Sequence, residues 1–221
     1  MLNVFPWGRP ALTELYRKMA GKAKTFSEIT LNRDVILDLT WFKSIMPRAI
    51  GVTFAGDGRW QDCDADIVFY TDATLTSAIA FVYSNHGFTY QIQPPPVDVS
   101  KPDIFFFEEL AVVSAMYHAA SLPTPPHKVL IFCDNLDTVH AFNSLRVSHS
   151  VHNALLLAAA EIALTSGIGV RVRHIAGEHN IAADMLSRLM LDDFATLFPA
   201  TRVRSFSPPR ELMPARWRSC F

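Results

Sequence analysis

The sequence predicts an α/β fold in which a mixed β-sheet is flanked by helices. Two apolar runs, residues 67–71 and 129–133, contain no charged residue and are typical of central strands buried on both faces. Residues 169–175 alternate apolar and basic side chains, which predicts a half-exposed strand. Longer segments with helical spacing separate these runs, and such alternation is typical of sheets covered by helices.

The remaining elements can be placed in order along the chain. Apolar residues 78–84 and 88–92 flank Asn85-His86-Gly87, which predicts a hairpin turn between two strands. The resulting order is β-β-β-α-β-α-α-β-α. The helices in this order are predicted over residues 103–121, 135–145, 151–164 and 181–191.

The N-terminal part of the chain predicts a small helical extension. Residues 11–19 have apolar spacing of three and four, and Asn32 is suited to cap a second helix that Pro47 ends. A Gly- and Asp-rich connector follows from residue 51, and the C-terminal end is rich in Pro and Arg without a clear period. The predicted division is a helical extension and linker (1–60), an α/β domain (61–192) and a tail (193–221).

Composition excludes several classes of protein. Half of the 221 residues are hydrophobic, so a buried core is expected, yet no apolar run reaches membrane-spanning length. The three cysteines are far apart and form no CxxC pair, which argues against a zinc site or a disulfide framework. No signal peptide is evident. These features predict an intracellular protein, cytoplasmic or nuclear, without a membrane partner.

Four acidic residues fall within or beside apolar elements: Asp72, Glu109, Asp134 and Asp184. A carboxylate inside a buried element is costly unless another group compensates its charge. Divalent cations are the usual compensation where carboxylates converge. The pattern therefore favours a metal-dependent nuclease.

The segment from His174 to Arg188, His-Ile-Ala-Gly-Glu-His-Asn-Ile-Ala-Ala-Asp-Met-Leu-Ser-Arg, resembles the C-terminal signature of the ribonuclease H domain of retroelement reverse transcriptases. Residues 70–74, 109–113 and 134–135 resemble the three earlier acidic segments of that family and occur in its order. The resemblance covers residues 64–192, and residues 10–47 more weakly resemble the preceding thumb and connection region.

The resemblance implies a ribonuclease H-like five-stranded mixed sheet and hydrolysis of the RNA strand of RNA–DNA hybrids. It also implies two Mg²⁺ ions, with Mn²⁺ as a possible substitute, held by Asp72, Glu109, Asp134 and Asp184. The polymerase portion of a reverse transcriptase is an implied partner. One departure is the stretch after Asp72, where this chain lacks the glycines common in the family.

The resemblance also implies individual roles for residues of the site. Asp72 would bridge both ions. Motif matching favours Glu109 over Glu108, although the helix is too apolar for periodicity to separate them. His174 would assist proton transfer or product release, with His179 as an alternative.

Candidate contacts to the substrate come from basic and amide side chains. Arg171 and Arg173 share one face of a strand and can reach a phosphate backbone. Arg188 could contact a phosphate or pair with an acid on its own helix. Asn135 and Asn180 are further candidates, and both also suit helix N-caps.

Two other interpretations of the sequence stay open. The first is an inactive module of the same fold that binds protein or nucleic acid. The second is another two-metal nuclease of the same superfold, such as an integrase or a resolvase. The segment from His174 to Arg188 disfavours the latter.

Overall fold

The computed structural model describes residues 5–21, 28, 30–49, 60–93 and 103–212. The strands are β1 (Ile67–Ala73), β2 (Ala78–Tyr83), β3 (His86–Gln91), β4 (Lys128–Cys133), β5 (Gly169–His174) and β6 (Arg202–Ser205). The α-helices are α1 (Thr13–Met19), α2 (Arg33–Ile45), α3 (Ile104–Ala120), α4 (Leu136–Ser144), α5 (Ser150–Ser166), α6 (Ile181–Ser187) and α7 (Leu191–Leu197).

The strands form one mixed sheet in the order β5-β4-β1-β2-β3-β6. β1, β2 and β3 pair antiparallel, whereas β4 and β5 run parallel to β1, and β6 runs parallel to β3. The predicted fold class, an α/β mixed sheet flanked by helices, is confirmed. The predicted number of five strands is wrong, because β6 adds a sixth.

Helices cover both faces of the sheet. Alternate residues of β2 point to opposite faces, and Phe81 joins the main core with helix α3, while Ala80 joins a second cluster with Leu186 of α6. α3 is buried along most of its length between the sheet and α5, which explains its apolar composition. Its N-terminus is capped by Asp103, whose Oδ1 accepts a hydrogen bond from the backbone N–H of Phe106 at 2.9 Å.

The hairpin between β2 and β3 has its turn one position earlier than the sequence predicts. Ser84 and Asn85 form the two-residue turn, and Ser84 has a φ of 47°. His86 and Gly87 lie within β3 instead. A Cβ at Gly87 would lie 2.8 Å from Leu186 Cδ1, so the glycine lets α6 approach the sheet.

Residues 181–212 contain more secondary-structure elements than the sequence predicts. The single helix predicted over residues 181–191 is two helices, α6 and α7, separated at Leu189 with a φ of 60°. Within the predicted tail, β6 pairs through its backbone with β3, although its four side chains are exposed. Because these side chains are exposed, β6 has no alternating hydrophobic pattern from which the sequence could predict it.

The N-terminal helices pack against α5. Asn153 of α5 donates from Nδ2 to the carbonyl of Pro10 at 3.1 Å, and Trp41 of α2 donates to Glu161 at 3.3 Å. Asn32 caps α2 as expected, accepting from Val35 N at 3.1 Å. Most of the predicted connector (residues 51–59) and the end of the predicted tail (213–221) lie outside the described residues, and the domain boundaries stay a prediction.

Candidate metal centre

Two of the predicted acids lie at the same edge of the sheet. Asp72 is the penultimate residue of β1, and Asp134 directly follows β4. Because β1 and β4 are parallel neighbours, their carboxyl ends meet at one edge, where α/β sheets commonly place functional groups. Asp72 is only 4% exposed, and its Oδ2 accepts a hydrogen bond from the hydroxyl of Ser187 on α6.

Glu108 reaches this edge from α3, which covers the face of the sheet opposite to α6. The backbone N–H of Ala73 donates to its Oε1 at 3.2 Å, and the Cys133 thiol donates to its Oε2 at 3.5 Å. One ligand atom from each of Glu108, Cys133 and Asp134 lies within 4.8 Å of the others. This group of donors could hold a metal ion.

Glu109, the acid of α3 that the sequence motif favours, points elsewhere. Its side chain is fully buried against α5, where its Oε2 lies 2.6 Å from His152 Nδ1. Successive residues of a helix point about 100° apart, so Glu108 and Glu109 cannot both face the same edge. The structure therefore places Glu108, not Glu109, beside Asp72 and Asp134. Sequence periodicity could not separate them, because nearly every face of α3 is buried.

The Glu109–His152 contact lies inside the protein. His152 is 6% exposed, and its Nε2 lies 3.5 Å from Asp103 Oδ2. Burial raises the pKa of Glu109 to about 7, and the hydrogen bond and charge of His152 partly offset this shift. Burial lowers the pKa of His152, but Glu109 and Asp103 more than offset it, so that the pKa is raised. The pair links α3 to α5.

Asp184 lies at the rim of the acidic edge on α6. It is half-buried, and its Oδ1 accepts a hydrogen bond from Arg188 Nε at 2.6 Å. Burial is the main cause that raises the pKa values of Asp72 and Asp134, and the negative charge of Asp184 raises both further. Asp184 is therefore electrostatically coupled to both strand carboxylates.

Burial and mutual repulsion favour the neutral forms of these acids. Burial raises the pKa of Asp72 to about 7, and the charges of Asp134 and Asp184 add to the shift. Burial raises the pKa of Glu108 to about 9, and Asp72 and Asp134 add to it. Burial also raises the pKa of Asp134, while His174 and Arg188 oppose the shift. Groups that repel each other in this way gain most from a bound cation.

We expect the metal-free protein to lose stability as the pH rises. The folded-state pKa values of Asp72 and Glu108 lie above their ordinary values. The stability that these two carboxyl groups contribute is thus complete below about pH 4. It is lost as the pH rises through about 7 for Asp72 and about 9 for Glu108. The melting temperature of chelator-treated protein should therefore fall across this pH range. Thermal melting across this pH range, with a chelator or with Mg²⁺, measures it.

Magnesium should reverse this loss at alkaline pH, because a cation that binds only the folded state stabilises it. The control variant is Asp72→Asn, in which the group with a pKa of about 7 is removed and the loss should be smaller. A melting temperature that does not change with pH or with Mg²⁺ would contradict a compensated acidic cluster.

Other predicted residues have partners within the protein. Asn135 caps α4, accepting from Thr138 N at 3.0 Å. The sequence predicts that Asn180 caps α6, but its side chain makes no capping hydrogen bond. Its Nδ2 instead donates to the carbonyl of Thr71 at 2.9 Å. Arg171 and Arg173 both form ion pairs with Asp62. Arg171 Nη1 lies 3.7 Å from Asp62 Oδ1, and Arg173 Nε lies 3.2 Å from Asp62 Oδ2. Substrate contact by these residues stays a prediction.

The histidine candidates lie on the exposed side of the site. His174 ends β5 next to Cys133 of β4 and influences the pKa of Asp134. His179 is also exposed, in a short 3-10 helix that precedes α6. His174 is therefore the candidate for which the structure gives a link to the carboxylates.

Three residues that shape the site have no role predicted from the sequence. Ser187 is three positions after Asp184, a spacing that puts both on one side of α6, and it contacts Asp72. Cys133 contacts Glu108. A Cβ at Gly177 would lie 3.2 Å from Asp134 Oδ2, so this glycine lets the loop approach the carboxylate. The helical spacing could have indicated Ser187; no sequence signal indicated the other two.

Comparison with known proteins finds similarity only among solved structures. No protein-family profile and no curated protein matches the chain. The chain is similar to ribonuclease H1 of the halophilic archaeon Halobacterium salinarum NRC-1, at 16% identity, covering 57% of this chain and 98% of that one, with a TM-score of 0.43. It is similar to the prototype foamy virus protease–reverse transcriptase at 15% identity, covering 61% of this chain, with a TM-score of 0.41.

A third similar structure is the N-terminal ribonuclease H domain of a Mycobacterium tuberculosis protein, fused to maltose-binding protein, at 14% identity. There the match covers 59% of this chain and 96% of that one, with a TM-score of 0.39. The match to the foamy virus protein spans only 21% of that protein. The roles of residues in the present chain therefore depend on the side-chain geometry described above.

Within the described part of the chain, no helix has the length and hydrophobicity needed to cross a bilayer.

Proposed function

We propose that the chain is a divalent-metal-dependent nuclease that cleaves the RNA strand of RNA–DNA hybrids. Its metal ligands would be Asp72, Glu108, Asp134 and Asp184. The observation that supports the proposal is that donor atoms of Glu108 and Asp134 lie within 4.8 Å of each other, while the charges of Asp134 and Asp184 act on Asp72 at the same edge of the sheet. Glu108 replaces Glu109 in this set because only Glu108 lies beside the strand carboxylates.

The donor set fits a hard divalent cation. Carboxylate oxygens are the ligands that Mg²⁺ and Mn²⁺ prefer, and the buried, mutually repelling acids described above need a compensating charge. Two Mg²⁺ ions bound here would supply Lewis-acid stabilisation of the phosphodiester and of the attacking water. The residues Asp72 and Glu108 are held in place for this task by Ser187 and by the backbone of Ala73.

Groups at the rim suit a phosphate-containing substrate. Arg188 is exposed beside Asp184 and would contact a phosphate of the bound strand. His174 is exposed near Asp134 and would carry a proton between the reacting oxygens and water. The choice of an RNA–DNA hybrid, and of a place at the C-terminal end of a retroelement reverse transcriptase or a gene derived from one, rests on the motif from His174 to Arg188.

A substrate panel tests the proposal. The purified chain is incubated with end-labelled RNA–DNA hybrid and Mg²⁺ or Mn²⁺, and in parallel with single-stranded RNA, duplex DNA and branched DNA. We expect metal-dependent cleavage of the RNA strand of the hybrid, with a chelator abolishing it. RNA is distinguished by its 2′-hydroxyl groups and by the groove shape of the hybrid.

The alternatives predict different products. Cleavage of branched or duplex DNA in preference to the hybrid would indicate an integrase- or resolvase-like enzyme. A folded protein that cleaves nothing at any metal concentration would overturn the nuclease and leave a binding module of the same fold.

A further inference from the structure

A thiol lies among the carboxylates of the candidate metal centre. Cys133 is the last residue of β4 and is fully buried, and its Sγ lies 3.5 Å from Glu108 Oε2. Asp134 follows it directly and contributes the third donor atom within 4.8 Å. The site thus combines two hard oxygen donors with one soft sulfur donor, a combination that carboxylates alone do not offer.

The distance between Cys133 Sγ and Glu108 Oε2 matches tetrahedral coordination of a zinc-like ion. Zn–S and Zn–O bonds of about 2.3 Å and about 2.1 Å at a tetrahedral angle place the sulfur and oxygen ~3.6 Å apart. The observed distance between Cys133 Sγ and Glu108 Oε2 is 3.5 Å. An ion could therefore replace the thiol proton without displacing either side chain far from its present position.

Two of the three donors are also fixed before any ion binds. Cys133 lies between two paired strands, opposite Thr71 of β1 and His174 of β5. The backbone N–H of Ala73 holds the second donor, Glu108, by its other oxygen. A site whose ligands are already oriented binds metal at a smaller entropic cost.

We infer that Cys133, Glu108 and Asp134 form a binding site for thiophilic divalent cations of the zinc and cadmium type. On binding, the Sγ–H bond breaks, an Sγ–metal bond forms, and the proton passes to water. The same ion takes Glu108 and Asp134 away from Mg²⁺. The inference rests on the proposed function only for this competition; binding through sulfur does not depend on hydrolysis.

Cadmium is the probe, because its bond to a thiolate gives an ultraviolet charge-transfer band that its bonds to oxygen do not give. The protein is prepared with Cys63→Ser and Cys220→Ser, so that Cys133 is the cysteine that remains of the three in the chain. Titration with Cd²⁺ should produce the band with a single endpoint. Adding Cys133→Ser to this background should abolish the band and weaken Cd²⁺ binding at least about tenfold.

A second variant separates coordination from misfolding. Glu108→Gln keeps the thiol but loses a charged oxygen ligand, and we expect Cd²⁺ affinity to fall about tenfold while a weaker band remains. Affinity for Mg²⁺ should change less than about threefold in Cys133→Ser, since Mg²⁺ gains little from sulfur. Melting curves of each variant establish that it is folded.

The band decides the inference. Its absence in the parent protein, or its persistence after Cys133→Ser, would overturn the site. Zn²⁺ should also inhibit Mg²⁺-dependent hydrolysis, and Cys133→Ser should raise the half-inhibitory Zn²⁺ concentration at least about fivefold relative to its own Mg²⁺-only rate. A protein with the band but without hydrolysis would retain this site and lose the proposed function, whereas hydrolysis without the band would do the opposite.

Discussion

Replacing Asp72 by asparagine is expected to slow hydrolysis of the hybrid at least about a thousandfold, which corresponds to about 4 kcal/mol of transition-state stabilisation. Asp72 is the acid that the structure holds between the strand edge and α6, and its charge is coupled to both Asp134 and Asp184. Asparagine keeps the shape and still accepts a hydrogen bond from Ser187, so the loss should follow from the charge alone.

The melting temperature of Asp72→Asn, relative to the parent, should depend on whether metal is bound. Burial raises the pKa of Asp72 to about 7, so at alkaline pH the folded protein carries a buried, repelled carboxylate when no metal is bound. In a chelator at about pH 8, Asp72→Asn should melt at the same temperature as the parent or higher. In excess Mg²⁺ the order should reverse, because only the parent retains the full ligand set.

The matched control is Asp137→Asn. Asp137 lies in the first turn of α4, three residues after Asp134, but its side chain is exposed. Its hydrolysis rate should stay within about twofold of the parent, because an exposed first-turn acid contributes mainly to its own helix. Single-turnover rates measure both variants. An Asp72→Asn protein as active as the Asp137→Asn control would remove the carboxylate cluster from the mechanism.

Most of the sheet could be predicted from the sequence because its signals are local. β1 and β4 are short apolar runs, and β5 alternates, so side-chain composition alone indicates them. The caps of α2 and α4 follow equally from single residues, Asn32 and Asn135. In each case the chemistry that forms the element lies within a few residues of the chain.

β6 and the break between α6 and α7 could not be predicted in this way. The side chains of β6 are all exposed, and its pairing partner β3 lies more than a hundred residues earlier. Leu189 adopts a positive φ, which its sequence does not favour. Tertiary contacts between α6, α7 and β2 around Phe194 compensate for this conformation, and such contacts leave no local pattern.

The candidate site also contains one residue, the acid of α3, that local sequence signals could not identify. Asp72 and Asp134 lie at the ends of strands and Asp184 lies in the first turn of α6, and the sequence indicates each of these positions. The choice between the adjacent acids of α3 depends on which face of a fully buried helix meets the sheet and which meets α5. The acid that meets α5 contacts His152, 43 residues farther along the chain.

A matched pair of variants on α3 should therefore separate these acids. Glu108→Gln is expected to reduce hydrolysis at least about a thousandfold, because it removes a charged ligand beside Asp134. Glu109→Gln is expected to leave the rate within about tenfold of the parent, since the Glu109 carboxylate contacts His152 instead of the acidic edge. The two substitutions are chemically identical and lie one residue apart.

Stability should rank the same two variants in the opposite order. Glu109→Gln removes the anion that His152 contacts at 2.6 Å inside the protein, and this should cost about 1–3 kcal/mol of unfolding free energy near neutral pH. The pKa of His152, measured by NMR titration, should fall at the same time, because Glu109 is the main cause that raises it. In a chelator Glu108→Gln should be as stable as the parent or more stable, because burial and its acidic neighbours hold the pKa of Glu108 near 9. If Glu109→Gln abolishes hydrolysis while Glu108→Gln preserves it, then the ligand on α3 is Glu109, and the helix must be rotated in the metal-bound enzyme relative to the structure described here.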